Sequence, residues 1–76
     1  MNNALNQRLQ PLVTIIIVTW NRKNEVVRCI QSALAQTYQN IEILVVDNAS
    51  SDDTPDVIKD LFPQVRLIKL HRNLGP

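Results

Sequence analysis

At 76 residues, with 8 basic and 7 acidic side chains and a formal net charge of +1, the chain has room for one small domain and carries no electrostatic footprint for nucleic acid. Its only cysteine, Cys29, excludes an internal disulfide or a cysteine-based zinc site within the chain and fits a reducing compartment. Its only glycine is Gly75, so neither the dinucleotide fingerprint nor the phosphate-binding P-loop can follow the first strand.

Residues 1–11 are polar with Arg8 the only charge, and read as a flexible tail ahead of a domain over residues 12–76. They lack the basic start and apolar stretch of a secretory signal, so a cytoplasmic chain is expected. The longest apolar run, residues 12–18, is interrupted by Thr14 and falls far short of the ~20 residues that span a bilayer. Residues 13–18 are β-branched throughout and apolar on both faces, the pattern of a parallel strand covered by helices on both sides. That strand runs into Thr19-Trp20-Asn21-Arg22. Asn21 to Asn24 offer capping side chains for a helix reaching Gln36. Val26, Ile30, Ala33 and Leu34 recur in it at helical spacing, and Glu25 stands where the dipole favours it.

Residues 41–46 read as a second buried strand. Pro55 suits the first turn of a second helix, with Thr54 or Asp53 as its cap. Val57, Ile58, Leu61 and Phe62 form that helix's apolar side, and Pro63 stops it. Residues 65–70 alternate Val65, Leu67 and Leu70 with Arg66 and Lys69, as a more exposed third strand would. A β-α-β-α-β order with short connections calls for a parallel sheet with right-handed crossovers, the third strand extending the sheet beyond the second. The first strand then has no neighbour on its other edge, an aggregation hazard that folded proteins avoid. An N-terminal fragment of a larger α/β domain is therefore expected, poorly folded on its own.

Ligands of open α/β sheets sit beyond the carboxyl ends of the strands, where two polar segments lie. Asp47 can accept hydrogen bonds from a nucleobase imide or sugar hydroxyls, or can cap nearby loop amides. Asn48 offers the donor and acceptor that reading a pyrimidine edge requires, or is a turn residue. Trp20 can stack on a base or pack at a domain rim. Thr19 has a hydroxyl to spare, or begins the turn. Asp52 and Asp53 read as a solvated capping pair, and His71 as a surface residue. Residues 47–58 are no calcium loop, since position six is not glycine and Ile58 stands where the bidentate Glu belongs. The glycosylation sequon Asn48-Ala49-Ser50 is a chance match at a strand end. No nucleophile–base pair can be argued, so no catalytic residue or metal ligand is assigned.

Four segments taken together carry a resemblance: Thr14-Ile-Ile-Ile-Val-Thr-Trp-Asn-Arg, Cys29-Ile-Gln-Ser-Ala-Leu-Ala-Gln-Thr-Tyr, Ile43-Leu-Val-Val-Asp-Asn-Ala-Ser-Ser-Asp-Asp-Thr and Arg72-Asn-Leu-Gly. In this order and spacing, over residues 12–76, they resemble the start of family 2 glycosyltransferases of the GT-A fold. The resemblance implies a three-layer Rossmann-like α/β domain of which this chain is the incomplete nucleotide-binding half. It also implies a UDP- or dTDP-sugar donor, a divalent metal (magnesium or manganese), inversion at the anomeric carbon, and a glycan or lipid-linked acceptor. Carried over by position, it places Thr19, Trp20, Asp47, Asn48 and Arg72 at the nucleotide. This chain has Asp-Asn where many members have Asp-Asp. The family's metal-binding Asp-x-Asp and catalytic base are expected beyond Pro76, so the chain alone is expected to be inactive. The full-length protein is expected in the cytoplasm or at the inner face of the cell membrane. A non-catalytic nucleotide-binding or pseudoenzyme module is the alternative.

Overall fold

The computed structural model describes residues 10–73 and Gly75; residues 1–9 of the expected tail lie outside the described residues. Three strands and two helices alternate: β1 (Val13–Thr19), α1 (Lys23–Ala35), β2 (Ile41–Asp47), α2 (Thr54–Leu61) and β3 (Arg66–Lys69). The sheet is parallel throughout, in the order β1-β2-β3. The β-α-β-α-β pattern and the placing of the third strand beyond the second are as the sequence reading has them. β1 and β2 each run one residue further, to Thr19 and Asp47, and β3 is shorter at both ends.

Each crossover connects neighbouring strands in the same direction, so both helices pack on one face of the sheet. Register makes that face explicit: Ile15 pairs with Ile43, and Ile17 with Val45, while Val45 pairs with Leu67. These side chains join Val26 and Ile30 of α1 and Ile58 of α2, with Phe62 just past it, in one core. Val26 and Ile30 sit one turn apart, as do Ile58 and Phe62, the spacing that puts paired side chains on one stripe. The opposite face presents Ile16 at 62%, Val18 at 67% and Ile68 at 44% exposure. The described residues thus form a sheet and one helical layer, although the strands are apolar on both faces.

Local details depart from expectation for identifiable reasons. Leu34 and Leu61 are exposed, not core residues. Ala33 is the α1 residue that packs on the core beyond Ile30, and Leu34 falls beside that stripe. Leu61 borders an outer groove between the helices with Val27 and Val57. Neither helix has a side-chain hydrogen bond at its N-cap, which is Arg22 for α1 and Asp53 for α2. Asn21 is occupied elsewhere, and α2 is met instead by Asp52, which accepts the Thr54 N–H at 2.9 Å. Pro63 ends α2 as expected. Phe62 before it has left helical geometry (φ −132°, ψ 69°), as a residue preceding proline tends to do.

Candidate functional site at the carboxyl ends of β1 and β2

Thr19 and Asp47 are register partners, the last pair of the β1–β2 ladder. The Asn48 N–H donates to the Thr19 carbonyl at 2.8 Å, so the two chains stay together one residue past the strands. Parallel pairing therefore brings Thr19, Trp20, Asp47 and Asn48, distant in sequence, to a single edge.

Asp47 is 1% exposed. Its carboxylate accepts the Ser50 N–H at 2.9 Å and the Ser50 hydroxyl at 2.6 Å, a turn that Asp side chains form readily. Between them Ala49 takes a left-handed backbone, φ 64°. Of the two roles open to Asp47 in the sequence, loop capping is realised here. The carboxylate oxygens have about four lone-pair positions, so the two bonds from Ser50 leave acceptor capacity.

Across the gap, Asn21 also adopts a left-handed backbone, φ 51°. Its N–H donates to Ser50 Oγ at 2.9 Å, and its Oδ1 accepts the Ser51 N–H at 2.8 Å. Lys23 and Asp53 add an ion pair at 2.8 Å between exposed side chains. The loops after β1 and β2 are stitched by these contacts. Sequence reasoning saw Asn21 only as a helix cap and did not single out Ser50; an Asn two residues past a strand's end, a residue type that tolerates the left-handed region, is the signal that was available.

A cleft of about 610 Å³ opens at this edge, lined by Thr19, Trp20 and Asn48 together with Arg22, Cys29 and Asn73 among others. Volume does not distinguish it, since a second hollow beside Lys59 and Phe62 measures about 560 Å³. Its position and its polar groups do. Trp20 is 51% exposed, leaving indole surface to stack. Thr19 is 6% exposed, and its hydroxyl, fully enclosed, has no hydrogen-bond partner among the described residues. Buried polar groups are nearly always satisfied, so an orphan at a cleft wall calls for an explanation.

Asn48 Nδ2 donates to Asn73 Oδ1 at 3.0 Å and to the Gly75 carbonyl at 3.2 Å. Asn73 Oδ1 also accepts the Gly75 N–H at 2.7 Å. This knot draws the segment after β3 to the cleft, with Asn73 on its wall. Arg72 is exposed and is not among the lining residues. Asn73 is thus the residue of Arg72-Asn-Leu-Gly that the sequence reading passed over.

Asp52 and Asp53 are exposed. Hydrogen bonds from the Thr54 hydroxyl and then its N–H hold the Asp52 carboxyl below the usual carboxylate range. The hydrogen bond and charge of Asp53 hold the Lys23 ammonium above its usual value. Among the described residues no three His, Cys, Asp or Glu side chains converge; Asp47, Asp52 and Asp53 are committed to Ser50, Thr54 and Lys23, and Glu25 is the single carboxylate on the cleft's lining. These residues do not fit a divalent cation. No helix among them is long and apolar enough to cross a membrane.

The comparison with known proteins then decides the family. The model of glycosyl transferase family 2 matches residues 14–76. This chain belongs to that family. The family 2 chain is 45% identical over 67 residues to a succinoglycan biosynthesis protein ExoO of Rhizobium meliloti, covering 87% of this chain and 19% of that protein. It is 48% identical over 50 residues to a UDP-Glc:alpha-D-GlcNAc-diphosphoundecaprenol beta-1,3-glucosyltransferase of Escherichia coli, covering 66% of this chain and 20% of that protein. A chondroitin synthase of Escherichia coli is 39% identical over 68 residues, 86% of this chain and 10% of that protein. The family 2 chain therefore spans a fifth or less of the length of these relatives.

Proposed function

We propose that this chain forms the nucleotide-holding platform of a glycosyltransferase that takes its sugar from a nucleotide-diphosphate donor and passes it to a glycan or lipid-linked acceptor. The observation that carries the reading is the enclosed, unpartnered Thr19 hydroxyl, placed beside an exposed indole and an amide in one cleft beyond two parallel strands. A nucleoside supplies a polar edge for Thr19 and a flat π-face for Trp20. Asp47, enclosed beside the cleft and not on its lining, holds the Ser50 turn, and we assign its remaining acceptor capacity to an imide or ribose hydroxyl. Asn48 contributes at the same edge, and Arg72, outside the lining but next in sequence to Asn73 of the cleft wall, is assigned to the phosphates as the nearby cation. The divalent ion such donors use, magnesium or manganese, would offset charge on the departing diphosphate. We assign it to residues other than those described, and sugar transfer by this chain alone is not expected.

Calorimetry with UDP and dTDP tests the platform. The chain is expected to bind at least one of them, with Trp20 fluorescence quenched. A charge-assisted hydrogen bond contributes about 1.5–3 kcal/mol, so Asp47→Ala should raise the dissociation constant roughly 10- to 100-fold, and Trp20→Ala should weaken binding by removing the stacking face. A folded chain that binds neither nucleotide overturns the reading. Unchanged affinity in both variants returns these residues to loop capping and rim packing.

A further inference from the structure

We infer that Asn21 is a positioning residue for the nucleotide cleft, acting through Ser50 and Ser51 to hold the Trp20 loop and the Asp47 turn in one arrangement. The inference rests on the nucleotide reading for its ligand, while the geometry stands independently. Asn21 makes contacts in both directions. Its N–H donates to Ser50 Oγ, and Ser50 Oγ donates in turn to Asp47 Oδ1. Its own Oδ1 accepts the Ser51 N–H at 2.8 Å. One residue thus closes a ring with Ser50 and Ser51 of the second loop, and Ser50 Oγ links that ring to the buried Asp47 carboxylate.

Three properties select Asn for this task. A left-handed backbone at φ 51° is costly for most side chains and tolerated by Asn, Asp and Gly. That conformation turns the chain sharply just after Trp20. The side-chain carbonyl then reaches the second loop, which Gly could not do. Releasing the ring frees Trp20 and the Ser50 turn to move apart, and a ligand would have to reassemble them on binding. Preorganised contacts avoid that loss of affinity.

The test compares Asn21→Gly, Asn21→Asp and Ser50→Ala with the parent chain. Gly keeps the backbone freedom and loses the acceptor, Asp keeps both, and Ser50→Ala removes only the bridging hydroxyl. Trp20 is the only tryptophan, so its emission maximum and anisotropy report the loop directly, and circular dichroism reports the fold. Asn21→Gly breaks the Oδ1 arm to Ser51 while its own N–H still meets Ser50 Oγ, and Ser50→Ala breaks the other arm; either loss is expected to red-shift Trp20 emission, lower its anisotropy and weaken UDP or dTDP binding about tenfold. Asn21→Asp should recover most of the affinity and the spectral signature. If Asn21→Gly fails to fold, Ser50→Ala carries the test, since it leaves the backbone alone. Parent-like emission, anisotropy and affinity in folded Asn21→Gly or Ser50→Ala overturn the inference. A parent chain that binds no nucleotide overturns the functional reading instead, and the Trp20 signals still decide the role of Asn21.

Discussion

The Ser50 hydroxyl donates to Asp47 at 2.6 Å while accepting the N–H of Asn21 at 2.9 Å, so the acid that ends β2 is tied to the loop that ends β1. Removing the carboxylate strands the Ser50 N–H and breaks this relay inside a part-buried turn. A buried donor left unsatisfied costs about 1–3 kcal/mol. Asp47→Ala is therefore expected to destabilise the chain by an amount in that range, and Asp47→Asn by less, because its amide oxygen still accepts the Ser50 N–H. Urea titrations followed by circular dichroism check the order.

Ala49 offers a gain in the opposite direction. Its φ of 64° places a Cβ in the left-handed region, at a penalty of about 1–2 kcal/mol. Glycine removes that penalty but gives back about 0.5–1 kcal/mol through the freedom of its unfolded state. Ala49→Gly is expected to raise the unfolding free energy by about 0–1.5 kcal/mol, the difference of those two effects. A lower thermal midpoint would show that Ala49 makes contacts that outweigh its backbone strain.

Much of this fold is legible in the chain. The β-branched run at residues 13–18, the second apolar run and the flanking Pro55 and Pro63 fix element order and type, because periodicity and proline geometry are local signals. The carboxyl-end site is legible for the same reason: Thr19, Trp20, Asp47 and Asn48 follow directly on apolar runs. Asn21–Ser50 was not legible. A cap and a cross-loop bridge use the same residue types, and only the pairing of Thr19 with Asp47 brings residues 21 and 50 together. Asn73 was not legible either, because an amide after a strand is equally a turn residue and only the fold brings it to Asn48. The exposure of Ile16 and Val18 was also beyond local pattern, since apolar strand faces do not say which neighbour covers them.

That open face yields the next expectation. Ile16 and Val18 are exposed on a parallel sheet whose β1 edge has no partner strand among the described residues, and such surfaces associate. The chain should enlarge with concentration in light-scattering measurements. Ile16→Lys should reduce that association without loss of helical signal, as the core side chains lie on the other face. Concentration-independent monomer mass would refute it.

Acid should loosen the start of α2. The Asp52 carboxyl is held below its usual range by Thr54, so its contribution is fully present above the ordinary carboxylate pKa of ~3.9 and is lost as pH falls through the lower folded value. Lys23 is raised, chiefly by its hydrogen bond to Asp53. Its contribution is present below the ordinary lysine pKa of ~10.4 and disappears as pH rises through the higher folded value. Thermal midpoints of the parent and Asp52→Asn should diverge above the acid window and converge below it. Parallel curves throughout would deny Asp52 this role.

Thr19 gives the sharpest separation of stability from function. Its hydroxyl is enclosed with no hydrogen-bond partner among the described residues, and it ends a strand whose neighbours on the same face are Ile17 and Ile15. Valine matches threonine in shape and carries no polar atom to desolvate. Replacing an unsatisfied buried polar group by an isosteric apolar one is neutral or favourable, recovering up to about 1–3 kcal/mol. Thr19→Val is therefore expected to raise the thermal midpoint of the ligand-free chain. If the hydroxyl is kept for a nucleotide, the same change should weaken UDP or dTDP binding roughly tenfold, the equivalent of one hydrogen bond. Thr19→Ser keeps the hydroxyl and should bind close to the parent while losing stability through the missing methyl. Stability and affinity moving in opposite directions in Thr19→Val would mark a group retained against the interest of the fold. A stabilised variant with parent-like binding would assign the Thr19 hydroxyl no part in the cleft, leaving Trp20 and Asp47 to hold the nucleotide without it.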